Sequence, residues 1–330
     1  MRDWGEYLKS WLPAGAVQEK VPLRSQTTFR IGGPSRWCAT ITEADQMVRL
    51  IQECRREGVD WFLLGGGSNV LFCDRGFEGV LILNRIETLA ETRPGLITAG
   101  AGLPLMDLVK YTTGLSLSGF ENLAGIPGSV GGAIVGNAGA FGRNIGELIE
   151  SVDLATAEGG IETVSPESLC FDYRESRLKT SGDVVVSARF HLPTGERDRL
   201  EQTIRDTLAL RAEKHPPHEA ATAGSFFKNL PPAAPGGRRT AAGLILDQAG
   251  ARGLSVGDAC VFEKHANIII NRGSATAQDV LKLTGKMKRM AFAHAGVVLE
   301  EEVRRIGFTN NELAMAEIET DPVGSCSADA

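Results

Sequence analysis

The sequence has no C-x-x-C pair, and its six cysteines (Cys38, Cys54, Cys73, Cys170, Cys260, Cys326) are scattered, with no histidine placed to complete a zinc clip. Reduced thiols and no metal are therefore expected. Neither a G-x-G-x-x-G after a strand nor a G-x-x-x-x-G-K-[ST] occurs, which excludes a Rossmann fingerprint and a P-loop. No apolar run approaches the roughly 20 residues of a membrane helix, and Met1 to Lys9 has no basic start followed by an apolar stretch. A cytoplasmic location without membrane contact is the expectation. Positive charge is not in excess either: 35 basic against 41 acidic residues leave a net charge of −6. That offers no general attraction to nucleic acid, so anionic substrates need local basic pockets.

What the chain does have is length and glycine. Its 330 residues, 42% of them hydrophobic, can fill two or three domain cores. Many of its 39 glycines cluster between Gly65 and Gly146, as expected where backbone amides must approach a ligand.

Residues 1–20 read as a short helical arm, with the ordered core starting near Val21. Thr42-Glu-Ala-Asp45 resembles a capping box, and Ala44, Met47, Val48, Ile51 and Cys54 recur at helical spacing up to Gly58. Trp61-Phe-Leu-Leu64 and Val80 to Leu83 read as strands, so 21–84 forms a first, α/β-like unit. From 85 to 195 short strands dominate (Ile97 to Ala99, Ile149 to Ala155, Val184 to Phe190). A third unit is expected at 196–308: Leu200, Ile204, Leu208 and Arg211 share one helix face, a Pro-rich loop follows, then a helix from Thr276 to Phe292 and a strand from Val297 to Ile306. Residues 309–330 are expected to be a disordered tail.

Two loops carry the chemistry. Gly65-Gly66-Gly67-Ser68-Asn69 follows an apolar strand directly, so its successive N–H groups can form a concave site for a pyrophosphate, with the Ser68 and Asn69 side chains adding donors. By itself it could equally be an ordinary glycine turn. The stretch Gly119 to Gly142 has almost no charge and alternates glycine with Ile126, Val130, Ile134, Val135 and Phe141. A flexible linker of that glycine content would be polar. This one suits a buried, tightly folded backbone against a large, flat, partly apolar ligand.

With Thr27-Thr-Phe-Arg30-Ile-Gly-Gly33, Tyr173-Arg-Glu-Ser-Arg177, Gly224-Ser-Phe-Phe-Lys-Asn229, Lys264-His-Ala-Asn267 and Leu299-Glu-Glu-Glu-Val-Arg304, these loops resemble the UDP-N-acetylenolpyruvoylglucosamine reductase family over roughly residues 20–307. Each motif is weak alone, but together, in the family's order, they are specific. The resemblance implies an α+β fold, with a two-part FAD-binding domain of the PCMH/VAO type and a C-terminal α/β substrate-binding domain. It implies non-covalent FAD, NADPH as co-substrate, a UDP-sugar as substrate, and a monomer. It places catalysis on Arg174, Ser225 and Glu302, with Glu300 in reserve because three glutamates stand in a row. Cofactor contacts fall on Arg30, Gly65, Gly66, Gly67, Ser68, Asn69, Gly125, Ile126, Pro127, Gly128, Ser129, Gly132, Asn137, Gly139 and Ala140, and substrate contacts on Lys214 and Asn229.

The chemistry agrees with those residue types. Hydride arriving at the terminal carbon of an enolpyruvyl ether drives negative charge into the conjugated carboxylate, which needs cationic or donor groups and then a proton on the neighbouring carbon. The Arg174 fork suits the developing charge, and the Ser225 hydroxyl suits the proton if a neighbour assists it. Leu230 and Glu301 stand where the family commonly has Pro. The interval from Arg174 to Ser225 contains no tyrosine, so the chain resembles the shorter version of the family, which lacks a tyrosine-bearing loop.

Three rivals were weighed. Ser225-Phe-Phe-Lys228 fits S-x-x-K, but the K-T-G-like Lys179-Thr-Ser-Gly182 precedes it and no S-D-N exists, against a penicillin-recognising enzyme. A FAD protein without catalysis is disfavoured by the Arg, Ser and Glu set. An oxidase on the same scaffold is the stronger rival, and many such oxidases hold flavin covalently through a histidine. All five histidines (His191, His215, His218, His265, His294) lie outside the glycine-rich loops, so acid- or heat-denatured protein should release its flavin intact, read as yellow colour left in the supernatant. Flavin retained by the precipitate would contradict this.

Overall fold

A computed structural model describes residues 3–234 and 236–317. The first unit comprises α1 (Trp4–Lys9), β1 (Val17–Pro22), β2 (Pro34–Ile41), α2 (Ala44–Arg56), β3 (Trp61–Leu64), β4 (Val70–Phe72) and β5 (Phe77–Asn84). Its sheet runs β1-β2-β5-β3, with β2, β5 and β3 parallel and β1 antiparallel at the edge. Val80 to Asn84 are buried without alternation, because both faces of the central strand are covered. Met47, Leu50, Ile51 and Cys54 of α2 lie on one side with Ile41, Val80 and Ile82, while Leu23, Phe62, Phe72, Leu81 and Leu83 fill the other.

Two expectations change here and one holds. The N-terminal residues are no loose arm: Trp4, Leu8 and Leu12 are buried in the α2 core, and β1 pairs with β2 from Val17 onward. Helix α2 is capped at Glu43, not Thr42, and the Gln46 side chain instead accepts from the Thr42 amide at 3.3 Å. The cysteine expectation holds as far as the description reaches. Cys38, Cys54, Cys73, Cys170 and Cys260 are free thiols, burial pushes Cys38 up to about 11 and Cys54 to about 12, and Cys326 lies outside the described residues.

The second unit comprises β6 (Leu89–Arg93), β7 (Leu96–Gly100), α3 (Leu105–Gly114), α4 (Val130–Val135), the short hairpin β8 (Gly139–Ala140) and β9 (Arg143–Asn144), β10 (Ile149–Ala155), β11 (Ile161–Val164), β12 (Val184–His191) and α5 (Arg197–Lys214). Its antiparallel sheet has the order β11-β10-β12-β7-β6. Helices α3 and α4 cover one face through Leu105, Leu108, Val109, Val130 and Ile134. Helix α5 packs on α3 and on the turn Glu121–Leu123, so by its contacts it belongs with this second unit. Of its expected apolar face, Leu200 is buried, whereas Leu208 remains exposed.

The third unit comprises β13 (Ala221–Ser225), α6 (Ala242–Gln248), β14 (Ser255–Val256), β15 (Ala259–Val261), β16 (Ile268–Asn271), α7 (Ala277–Ala295), β17 (Arg304–Ile306) and α8 (Asn310–Leu313). Its sheet runs β13-β16-β15-β14 beneath α6 and α7. Helix α7 starts in a Thr276–Asp279 capping box and stops at Gly296 with φ +67°. Phe29, Ile31 and Leu71 of the first unit are buried in this third core. The expected strand Val297 to Ile306 shrinks to β17, which pairs parallel with β4. Within 297–303 the β-pairing reduces to one isolated antiparallel bridge, Phe227 to Glu301. Thr309 opens a capping box with Glu312, whose carboxylate pairs with Arg75, and Ala316 is buried. The tail expected from 309 is thus folded as far as 317, and 318–330 lie outside the described residues.

Among the described residues no helix is long and apolar enough to cross a membrane. One backbone position is decisive for the first sheet. Gly76, at φ +95°, has a Cβ position 1.9 Å from the Pro34 carbonyl oxygen, an overlap that only backbone movement can relieve. Gly76→Ala should cost about 2 kcal/mol or more of folding stability, read from the urea midpoint at unchanged slope.

Candidate active site

The two glycine loops touch. A Cβ on Gly65 would lie 2.3 Å from Ser129 Oγ, and one on Gly66 would lie 2.6 Å from Gly128 Cα, so glycine is required by contact of one loop with the other. The Ser68 hydroxyl donates to Pro127 O at 3.1 Å. Gly67 (φ +65°) abuts Gln26 and Thr27, and its carbonyl accepts from the Thr28 amide at 3.1 Å. Among the described residues, the amides of Gly66, Gly67, Ser68, Asn69, Gly125, Gly128 and Ser129 donate to no backbone carbonyl. Unspent amides lining touching loops are what a diphosphate-bearing dinucleotide requires.

Some of the expected cofactor residues do other work. Ser129 caps α4, accepting from the Gly132 amide at 3.3 Å. Asn137 donates to Asp172 O at 2.9 Å and accepts from the Gly146 amide at 3.2 Å, so its side chain is committed within the protein. Gly139 O accepts from Arg174 Nη2 at 3.2 Å. The exposed Arg30 shares a turn with Thr27, and Asn271 holds its carbonyl at 3.4 Å. Ile126 and Ala140 are half-buried on the same loop and in β8.

Arg174 sits at φ +57° in a turn closed by reciprocal Asp172 and Glu175 backbone bonds, both at 3.1 Å. Lys179 also donates to the Arg174 carbonyl. A non-glycine residue in this conformation is strained, and the surrounding bonds hold it there. The Arg174 Nε lies 2.9 Å from Glu302 Oε1. Burial pushes the Glu302 carboxyl above the usual carboxylate range, and the charges of Arg174, Lys179 and Lys228 oppose that shift. Glu300 instead pairs with Lys228 at 2.5 Å, and its side chain is 71% exposed. Of the three consecutive glutamates, then, Glu302 is the one beside Arg174.

Ser225 ends β13 just after Gly224 (φ +77°). The Lys264-His-Ala-Asn267 motif holds the turn that follows. Phe226 N donates to Asn267 O (2.8 Å), Phe227 N donates to Asn267 Oδ1 (2.9 Å), and Asn267 Nδ2 returns to Phe227 O (2.8 Å). The Glu302 amide donates to Phe226 O at 2.8 Å, and Asn69 Nδ2 donates to Glu302 O at 3.1 Å. One stretch of backbone therefore joins the Ser225 turn, the Arg174 partner and the first glycine loop.

The proposed substrate residues differ in their surroundings. Lys214 is exposed at the end of α5. Asn229 Oδ1 accepts from Ala242 N at the start of α6 at 3.2 Å, and Tyr173 Oη accepts from the Asn229 amide at 3.3 Å. Several residues escaped the sequence reading. Arg211 lies against Gly125, with its Nε buried and lacking a hydrogen-bond partner among the described residues; burial, then the charge of Arg174, lowers its pKa. The helix pattern had marked it only as a core-facing position. Arg239 stacks on Tyr173 at 3.9 Å. No signal at fixed spacing could have brought that loop to Tyr173. His215, whose ring centroid lies 5.4 Å from that of His265, joins the end of α5 to the Asn267 turn.

Burial first, then His265, Arg211 and Lys214, depress His215 from 6.5 to about 4. Between those values the unfolded chain binds a proton that the folded chain does not, so stability falls as pH drops through this window. His215→Gln should shrink the loss of Tm between pH 6.5 and 4. Superimposable Tm–pH curves would rule the histidine out as its source.

An FAD-binding domain model matches residues 37–165, and a model of the UDP-N-acetylenolpyruvoylglucosamine reductase C-terminal domain matches residues 216–306. The chain is 37% identical over 300 residues to a UDP-N-acetylenolpyruvoylglucosamine reductase of Heliobacterium modesticaldum, covering 91% of this chain and 93% of the relative. It is 38% identical to that of Pelobacter propionicus over 297 residues, 89% of this chain and 96% of the relative. The crystal structure of the UDP-N-acetylenolpyruvylglucosamine reductase of Thermus caldophilus superposes with a TM-score of 0.72 at 31% identity, covering 88% of this chain and 97% of the other. The touching glycine loops, the Arg174–Glu302 contact and the clamped Ser225 turn thus lie in a chain that belongs to the UDP-N-acetylenolpyruvoylglucosamine reductase family.

Proposed function

We infer that this chain reduces UDP-N-acetylglucosamine enolpyruvate to UDP-N-acetylmuramate, a step of peptidoglycan precursor synthesis, with non-covalent FAD and with NADPH as hydride source. The observation that carries the reading is the Arg174–Glu302 contact at 2.9 Å, tied through the Glu302 backbone to both the Ser225 turn and Asn69. When bound, FAD supplies hydride chemistry, and the amides of Gly66 to Asn69 and of Gly125, Gly128 and Ser129 are the groups that would hold its diphosphate.

The remaining work falls to side chains. Hydride addition at the terminal enol carbon leaves an electron pair on the neighbouring carbon, delocalised into the carboxylate. The Arg174 guanidinium stabilises that charge. Glu302, its pKa raised by burial, retains its proton to higher pH than an exposed carboxyl and can share it with the developing oxyanion. The Ser225 hydroxyl gives its proton to the carbanionic carbon, which completes the new C–H bond, and then regains one from water. Lys214, Arg211 and Arg239 supply positive charge for the diphosphate of the sugar nucleotide, with Asn229 beside Arg239, whose Nη1 donates to the Asn229 carbonyl at 3.4 Å. Arg174, Ser225 and Glu302 come from one chain, so a monomer suffices. Neither membrane nor nucleic acid takes part, and a cytoplasmic location suits a soluble sugar nucleotide.

In anaerobic stopped flow, NADPH should bleach the flavin band, and UDP-N-acetylglucosamine enolpyruvate should restore it. Ser225→Ala should leave the bleaching intact and slow recovery by about 10²–10⁴-fold. Glu302→Gln should slow the same phase and erase a limb of its pH profile. Recovery that requires oxygen would establish an oxidase instead.

A further inference from the structure

From Leu299 to Val303, around the Phe227–Glu301 bridge, buried side chains alternate with more exposed ones. Leu299 and Val303 face inward and are buried, and Glu301 lies on their side of the backbone, its side chain only 7% exposed. Glu300 pairs instead with Lys228, and Glu302 with Arg174. Any of three consecutive glutamates could supply a carboxylate beside Arg174, and a slip of one residue would exchange the two faces. Carboxylate chemistry alone does not choose among them.

The inward position is charged on purpose. Glu301 Oε1 lies 2.9 Å from Lys288 Nζ, and Oε2 lies 2.9 Å from Arg305 Nε. Lys288, on α7, is 5% exposed and Arg305 is 17% exposed; both also reach Glu317, at 3.4 and 3.0 Å. A buried, paired carboxylate is a weak source of stability and a good source of register. We propose that the Lys288–Glu301–Arg305 triad is a register lock, positioning Glu302, and neither of its neighbours, against Arg174. The proposal rests on the reductase reading for what Glu302 does, but not for where it points.

Glu301 stands where the family that the chain resembles commonly has proline. Proline would set this stretch by its fixed φ and missing donor. Here a buried ion triad takes over the task. Removing only the lysine leaves Glu301 with one partner and no preference for its site over that of Glu302.

Lys288→Met should lower kcat for enolpyruvyl reduction roughly ten- to hundredfold, with KM and NADPH-driven bleaching within about twofold of wild type. It should also displace the pH limb set by Glu302, which faces Arg174, Lys179 and Lys228. Lys288→Met/Glu301→Leu, with an apolar residue that itself prefers the inward face, should recover kcat and the wild-type pH profile. Amide hydrogen exchange at 301–304 should quicken in the single variant and slow again in the double. A single variant that loses Tm while keeping wild-type kcat, pH profile and exchange would make the triad merely structural. A double variant that fails to recover would show that the charge matters and register does not. Exchange needs no turnover, so it decides the lock even if wild-type protein proves unable to reduce the enolpyruvyl sugar, the result that would sink the reductase reading instead.

Discussion

The hydrogen bond from the Glu302 amide to the Phe226 carbonyl, 2.8 Å long, is the joint on which the site depends. On one side it meets the turn that presents Ser225, which Asn267 clamps with three bonds. On the other, the Glu302 carbonyl receives Asn69 from the first glycine loop, and the Arg304 amide donates to Asn69 O at 3.1 Å. Cofactor cradle, proton-donor turn and carboxylate thus share one short run of backbone. An ångström of movement there would misplace several partners at once, and catalytic geometry tolerates little of that.

Charge is distributed to match. Lys228 bridges Glu175 and Glu300, both at 2.5 Å, and Lys179 pairs with Glu175 at 3.1 Å, so the cations behind Arg174 are neutralised within the protein. Among the described residues Arg211 has no such partner, and its buried Nε lies beside Gly125. A guanidinium nitrogen buried without a partner is costly unless an anion arrives. Arg174 is strained in its backbone, and Glu302 is desolvated. Both penalties are met where charge must develop, a cost that the well-packed cores on either side can sustain.

Legibility in the sequence followed the range of the interactions. The helix α7 was readable because its capping box, periodicity and terminal glycine are local signals. The glycine loops were readable because close backbone approach leaves glycine no substitute. The N-terminal arm was misjudged because the partners of Trp4 and Leu8 lie in α2, beyond any local pattern. The strand at Val297 to Ile306 was overextended because alternation there reflects two different environments, a buried ion triad on one side and the Lys228 and Arg174 pairings on the other, and not one ladder. Arg211 read as a helix face because its purpose is set by Gly125 of another unit. The triad Arg174, Ser225 and Glu302 came only through resemblance, since none of the three is distinguishable from a surface residue by its neighbours in sequence.

The parallel pairing of β17 with β4 has a consequence for how the molecule comes into being. Asn69 and Glu302 are 233 positions apart. During synthesis the first glycine loop emerges well before the strand and carbonyl that fix its far end, 233 positions later. Closing so long a span costs entropy before any contact returns it. The cradle is therefore finished only once the chain has been made through β17, and a tight hold on the flavin doubles as a check that translation reached Arg304.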